Sequence, residues 1–420
     1  MRMEARQFEH AVVIGGSLGG LLAARVLSNH FRRVTILERD PVHDYLESRK
    51  GQAHTQHVHG LLAGGFAVLQ AYFPELRQAL LDGGGLYDNA AVSQLLATDD
   101  GRRVAGVAVE WRGGAPGGLA ERGELAADLV VDCSGRGSRL PRWLAEMGYG
   151  QPPVSLVGVN LVYATRLYRR DPDGPHGQYF LTIEPSPPLQ GRAAAMMPVE
   201  GNRWVATAAG WHGDCTARDE ASFLAHAASL PAPDIYNLLR HAEPLSDVVT
   251  YRFGNSVRRH YERMARFPDG LLALGDAIAS FNPIYGQGMT VAALEAQALD
   301  KLLAGSATLD GLPPRYFRQA AKLVDTPWQI AVGGDFRFPQ TTGEKPPGTE
   351  LINRYLTRVH RATHHDDVVC GAFLRVANLL ALPASLFHPR LMRRVLRKGK
   401  AAAQSPTSER TAGPMGARPA

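Results

Sequence analysis

A chain of 420 residues that is 45% hydrophobic can bury more than one core and divide into two or three structural units. Its formal net charge of +6 is matched by Arg390, Arg393, Arg394, Arg397, Lys398 and Lys400 alone, so the remainder is close to neutral and a nucleic-acid-binding body is excluded. The three cysteines, Cys133, Cys215 and Cys370, stand too far apart for a CxxC pair, a zinc knuckle or a disulfide framework.

The opening MRMEARQFEH runs directly into an apolar stretch, which predicts no signal peptide. No segment has the uninterrupted apolar length of a spanning helix, so stable membrane insertion is not expected and the cytoplasm is the expected compartment. Positions 11–40 read as strand, glycine turn, helix (18–29) and strand (34–37), a βαβ unit. A helix is expected over 59–81, with the triplet Gly83-Gly84-Gly85 linking it to short strands at 91–97 and 104–110. Asp100-Gly101 supplies a hairpin turn between these strands. From Val157 the apolar period changes to two, with further runs at 178–183, 192–199 and 203–210, the last two joined by Glu200-Gly201-Asn202. This pattern predicts an antiparallel sheet in a second domain. Helices at 217–229 and 233–241 and a strand at 248–253 follow, an α/β pattern returns at Leu271, and the chain turns mostly helical from Leu312. The last twenty residues have no apolar periodicity and are expected to be disordered.

Three segments carry the chemistry. Gly15-Gly16-Ser17-Leu18-Gly19-Gly20 lies between a strand and a helix, where unpaired N–H groups and the positive helix end attract a pyrophosphate. It departs from GxGxxG at Ser17. Glu38, followed by Arg39, ends the next strand, where an acid can bond a ribose hydroxyl pair. A GxGxxG alone also marks tight βα turns that bind nothing; strand, helix and acid together favour dinucleotide binding. The second segment, DLVVDCSGRGSRLPR at 128–142, turns at Gly135 and by itself reads as an ordinary strand-to-helix turn. In the third, Asp276 ends a strand and Pro283-Ile-Tyr-Gly286-Gln-Gly288-Met289-Thr290 precedes a helix at 291–303. Its carboxylate can accept from a sugar-like hydroxyl, and Gly286 and Gly288 let a helix N-terminus approach a ligand that develops negative charge. A plain turn with an N-cap fits the same residues.

Together these segments resemble the dinucleotide, DG-type and GD-type motifs of flavoprotein monooxygenases with the aromatic-hydroxylase fold. More closely, Arg49-Lys50-Gly51 followed by His57-Val58-His59, the run NPIYGQGMT and Asp325-Thr-Pro-Trp-Gln329 are similar to actinobacterial FAD-dependent epoxidases of the polyether-antibiotic type. The similarity extends to about His388. It implies an α/β fold: a Rossmann-like FAD-binding domain in two parts (1–150 and 254–311), an inserted antiparallel β substrate domain (151–253), a helical region (312–400) and a tail (401–420). Cofactor contacts are implied at Gly15, Gly16, Ser17, Gly19, Gly20, Glu38, Arg39, Arg49, Lys50, Gly135, Asp276 and Pro283. Gly286, Gly288 and Met289 would line the pyrimidine edge of the flavin and serve catalysis. The implied reaction uses NADPH or NADH and O2 through a flavin C4a-hydroperoxide. Its implied substrate is small and apolar, of polyene or polyketide kind, as in the secondary metabolism of antibiotics. Because no base is evident in the second domain, epoxidation is preferred to phenol hydroxylation.

Departures from the resemblance bear on function. Ser134 stands where many relatives have the Asp of the DG pair, and Ala53-His54 and Gln56 replace an expected Pro-Gln and Arg. Between Leu81 and Leu86 the chain is several dozen residues shorter than the family pattern, which there carries a flavin-facing arginine and part of the flavin's cover. A flavin-dependent reductase or dehydrogenase, or an FAD-poor non-catalytic relative, therefore stays open beside the monooxygenase. Halogenation is disfavoured by the lack of a WxWxIP stretch, and a Baeyer–Villiger enzyme with two dinucleotide domains by the lack of a second GxGxxG unit. His54, His57 and His59 have no acid or cysteine at ligand spacing, so no metal is expected. Trp204, Trp211 and His212 are candidates to line a substrate pocket, though core positions suit them equally. The basic stretch 373–400 reads as a docked helix with a solvated end, with peripheral contact to anionic lipid as the alternative.

Overall fold

A strand covered on both faces reads as an unbroken apolar run, and β1 (Phe8–Ile14) ends in one, Ala11 to Ile14, with its last five residues buried. It leads into α1 (Leu18–Leu27) and β2 (Phe31–Leu37), which pairs parallel to β1 from Phe8↔Phe31 to Ile14↔Leu37. The computed structural model describes residues 7–42, 57, 61–72, 84–87, 89–111, 122–171, 174 and 180–401. Two compact units divide between Pro346 and Pro347.

The first unit continues through α2 (Ala63–Tyr72), β3 (Gly84–Tyr87), β4 (Ala90–Ala97), β5 (Val104–Trp111), β6 (Arg122–Ala126), β7 (Leu129–Asp132) and α3 (Leu140–Glu146). Of the helix expected over 59–81, 63–72 is present, while 58–60 and 73–83 lie outside the described residues. The glycine triplet is corrected: Gly83 lies outside the described residues, but Gly84 and Gly85 belong to β3, paired with Val34 and Thr35. Ladder bonds need only backbone, so an edge strand forms where glycines erase the side-chain period. Strands β4 to β6 form a separate antiparallel sheet, with Gly101 in the left-handed region at their first turn.

Next come β8 (Val154–Arg169), β9 (Leu181–Ile183), β10 (Arg192–Val199), β11 (Arg203–Gly210), α4 (Glu220–Ala228), α5 (Asp234–Leu239), β12 (Val249–Arg259), β13 (Leu271–Ala273), β14 (Ala279–Ser280), α6 (Gly288–Ala304), α7 (Leu312–Asp335) and β15 (Thr342–Gly343). Among the described residues the parallel sheet has the order β13-β7-β1-β2-β3, and the antiparallel one β14-β12-β8-β11-β10-β9 with β15 on β8. Strand β12 continues past position 253 to Arg259 as one partner of β8.

Alternation gives the antiparallel sheet two different faces. Val162, Ala164, Ala206 and Ala208 form one, and Phe223 of α4 and Ile235 of α5 close over it. Trp204 lies in this helix-covered core, so it is no pocket residue: its even position on β11 fixes its face. The other face carries Tyr163, Thr165, Thr207 and Tyr251. Helix α6 packs against both α1 and α2 beside the parallel sheet.

The second unit contains α8 (Thr349–Thr363), α9 (Asp367–Ala377) and α10 (Pro389–Ala401). Leu391 and Val395 of α10, four residues apart, are buried, while Arg390, Arg393 and Arg397 are exposed. Arg394 donates to Asp366 at 2.9 Å, and Asp366 also caps α9 through Val368 and Val369 at 3.1 Å. Such an apolar stripe with a charged outer face matches the docked-helix reading. Among the described residues no helix is long and apolar enough to cross a membrane.

Phe223 is 2% exposed at the centre of the helix-covered core. Phe223→Ala is expected to cost about 3–5 kcal/mol of unfolding free energy in urea denaturation, the usual loss for an emptied aromatic site. A loss below about 1 kcal/mol would show that α4 does not seal this face.

Candidate active site

The three separated segments meet. A Cβ on Gly15 would lie 2.7 Å from the carbonyl oxygen of Cys133, so the β1–α1 turn runs directly against the end of β7. On Gly20 it would lie 1.8 Å from the carbonyl oxygen of Gly15, so only glycine lets α1 start this close to its strand. Ser17 occupies the N-cap position of α1 without a side-chain cap bond. A Cβ on Gly19 would touch Leu274 at 3.5 Å, one on Gly135 would lie 4.0 Å from the Asp276 Cβ, and one on Gly288 3.6 Å from Asp276 Oδ1. Asp276 is therefore the point at which the second and third segments close together.

Carboxylates tie the segments together. Glu38 Oε2 accepts from the Gly16 N–H at 2.7 Å and Oε1 from the Asp40 N–H at 2.9 Å, which fixes the acid across the mouth of the glycine turn. Arg39 turns to Asp40, to which it donates at 3.2 Å. Asp132, fully buried at the end of β7, accepts from Ser134 N–H (3.0 Å), Ser134 Oγ (2.5 Å) and Ser138 Oγ (2.5 Å). Ser134 thus replaces the expected acid with a hydroxyl that serves an acid two residues earlier.

Asp276 sits in a 3-10 turn after β13 and is half-buried. Burial pushes its carboxyl up to about 6, against the opposing pull of Arg136 and Arg259. Arg259 is held by the carbonyls of Ala277 (3.1 Å) and Arg136 (2.8 Å), and Arg136 lies 4.2 Å over the Phe253 ring. Among the described residues no donor bonds the Asp276 carboxylate. Behind it Glu295, on α6, accepts from the Gly275 N–H at 2.6 Å, and burial raises its carboxyl to about 8.

Helix α6 begins at Gly288, so Gly288 and Met289 belong to its first turn rather than to the preceding loop. Asn282 caps the Pro283–Tyr285 turn through Ile284 N–H at 3.1 Å, and Gly286 follows at φ 64°. One oxygen of Asp335, at the end of α7, collects Asn282 Nδ2 (2.8 Å), Trp211 Nε1 (3.1 Å) and Tyr285 OH (3.3 Å). The other oxygen is buried without a partner, and burial pushes this carboxyl up to about 6. Trp211 is thereby a strut of the glycine loop rather than a pocket wall, and His212 packs edge-on against Phe338. No sequence period links 211, 282, 285 and 335. The only signal was a set of polar-capable side chains in apolar surroundings.

His57 comes to the face of the antiparallel sheet opposite α4 and α5, with Nδ1 2.8 Å from Thr165 Oγ1. Arg49, Lys50, His54 and His59 lie outside the described residues.

Asp335 and Asp276 hold their protons to about pH 6 in the folded chain, against 3.8 when unperturbed. A raised carboxyl binds its proton more tightly when folded, so ligand-free stability falls as pH rises from about 4 to about 6. Asp335→Asn is expected to flatten that slope in urea titrations at about pH 4.5 and pH 6.5. An unchanged slope would place the proton uptake elsewhere.

No protein-family model matches the chain. Protein Rv3254 of Mycobacterium tuberculosis is 30% identical over 437 aligned positions, covering 89% of this chain and 90% of that one. The alignment is longer than this chain's 420 residues, so the relative carries residues that this chain lacks. Among solved structures, the flavin-dependent brominase Bmp2 superposes with a TM-score of 0.61 at 13% identity, covering 93% of this chain and 99% of that one. PqsL of Pseudomonas aeruginosa, described as a probable FAD-dependent monooxygenase, gives 0.54 at 16%, covering 79% and 98%. The chain belongs to the family of Protein Rv3254, and its fold is that of flavin-dependent monooxygenases and halogenases.

Proposed function

We propose that the cleft around Asp276 holds FAD and that the protein is an FAD-dependent oxidoreductase of monooxygenase type, reduced by NADPH or NADH and acting on an apolar, polyketide-like molecule. One observation carries the reading: three segments far apart in sequence pack against one another, and beside their junction Asp276 is half-buried with no donor to its carboxylate among the described residues. Orphaned polar atoms at the start of α6, Gln287 Oε1 and Thr290 Oγ1, fit a site shaped for a polar ligand.

In this reading the start of α1, with Gly15, Gly16, Ser17, Gly19 and Gly20, holds the pyrophosphate. Glu38 takes the adenosine ribose, with Arg39 beside it, and Asp276 takes the ribityl hydroxyls next to Gly135. When bound, the flavin supplies the activation of dioxygen. The α6 N-terminus, with Pro283, Gly286, Gly288 and Met289, directs its N–H groups at the pyrimidine edge and favours negative charge there. Asp335 keeps that loop in place. The antiparallel sheet's open face receives the substrate and excludes water. Arg49 and Lys50 are proposed to contact the flavin as well. Cytoplasmic location and a place in antibiotic-type secondary metabolism complete the proposal.

Asp276→Ala removes a charge-assisted bond worth about 1.5–3 kcal/mol, so FAD is expected to bind about 10–100-fold more weakly. Flavin absorbance after gel filtration measures this, and full retention would place the cofactor elsewhere. The shortened connection before β3 removes part of the cover that relatives use. With excess FAD, a large share of the NADPH consumed is therefore expected to appear as hydrogen peroxide. Tight coupling in a monomeric preparation would show that the sheet shields the ring unaided.

A further inference from the structure

Charge is divided unevenly along the chain. Positions 347–420 hold twelve Lys and Arg residues but only four Asp and Glu, a net +8 where the whole chain carries +6. We infer that the second unit docks on an anionic lipid surface, with its arginines at the headgroup phosphates and its exposed leucines among the acyl chains.

Helical period decides what each helix of this unit shows. On α8, Leu351, Arg354, Arg358 and Arg361 recur at helical spacing along one stripe, and all four are exposed. On α10, Arg390, Arg393 and Arg397 make a stripe of the same kind beside the exposed Leu396, opposite the buried Leu391 and Val395. Helix α9 exposes Val368, Leu374 and Arg375 around Gly371, where an added Cβ would meet nothing within 4 Å. Each helix thus sets basic and apolar side chains on one outer surface. Arg394 is tied to Asp366, but among the described residues no acid pairs with Arg354, Arg358, Arg361, Arg390, Arg393 or Arg397.

Single exposed apolar residues are ordinary on any protein surface, and only their concentration carries meaning. Eight of the fifteen large apolar side chains exposed among the described residues belong to the second unit, although it supplies only positions 347–401 of them. Leu351 is 73% exposed and Leu382 68%. Arginine beside leucine is the chemistry of an interfacial helix, in which the long basic stem lies along the apolar layer and its head reaches phosphate.

Other occupants answer only half of this surface. A second copy would set like charge against like charge. Nucleic acid would satisfy the arginines and leave the leucines in water. The chain's own positions 401–420 have no apolar periodicity and a single acid, Glu409, so they match neither set. Anionic lipid matches both, with phosphate for guanidinium and acyl chain for leucine.

Co-sedimentation of the full-length protein with vesicles tests the inference. The readout involves no flavin, so it stands or falls apart from the oxygenase reading. Vesicles of equal parts phosphatidylglycerol and phosphatidylcholine are expected to carry the protein down, and phosphatidylcholine alone to leave it in solution. Raising the salt to about 0.5 M is expected to release most of it. Each basic residue near such a surface strengthens binding about fivefold. The triple variant Arg390→Gln, Arg393→Gln, Arg397→Gln is therefore expected to bind about 100-fold more weakly. The double variant Leu351→Ser, Leu382→Ser is expected to lose about tenfold on vesicles while its retention on heparin is unchanged. All five side chains are exposed, so both variants are expected to keep the wild-type circular dichroism and urea midpoint. No binding to the anionic vesicles, equal binding to both kinds, or full binding by the arginine variant would overturn the inference. Full vesicle binding by the leucine variant would reduce the surface to a plain polyanion site and overturn it as well.

Discussion

A carboxylate withdrawn from water loses several kcal/mol of solvation unless protein donors replace the solvent, and the junction of the three glycine-bearing segments is organised by acids under that constraint. Asp132 is satisfied by its own loop through Ser134 and Ser138. Glu295 bonds the turn that bears Asp276, which ties α6 to β13. Asp335 joins the end of α7, the end of β11 and the glycine-rich loop through a single oxygen. Each acid makes one segment a condition for the placement of another. Asp276 differs in that no donor among the described residues completes its shell.

The antiparallel sheet obeys a simpler rule with equal consequence. A sheet that buries one face under helices leaves its other face to whatever the rest of the molecule presents. On β8 the parity of a residue decides its role: Val162 and Ala164 serve the core under α4 and α5, and Tyr163 and Thr165 face His57. A shift of one residue in the β8–β11 register would exchange the two sets. Eight consecutive cross-strand pairs hold that register, from Arg203↔Arg169 to Gly210↔Val162.

Local physics made much of the architecture legible in advance. The βαβ unit, the hairpin at Asp100-Gly101 and strands β10 and β11 follow from apolar period and turn chemistry, which depend on near neighbours. The glycine segments were also legible, because a backbone that must approach another backbone tolerates no Cβ, and this leaves glycine at Gly15 and Gly20. Gly84 and Gly85 misled for the complementary reason: without side chains they show no period, yet their backbone completes a parallel edge.

By itself, then, the sequence determined the α/β class and the strand-to-helix turns at which the three segments meet. Each is encoded by residues a few positions apart whose spacing sets their geometry. Only the tertiary structure decided which polar side chains share a site. Asp335 with Trp211, Asn282 and Tyr285, and His57 with Thr165 and Thr207, are partners separated by about forty to more than a hundred positions. Such pairings arise from strand register and helix packing, and the energy that selects them is the burial of the surrounding core. No local pattern records them, because a threonine facing an imidazole and one facing solvent have the same neighbours in sequence.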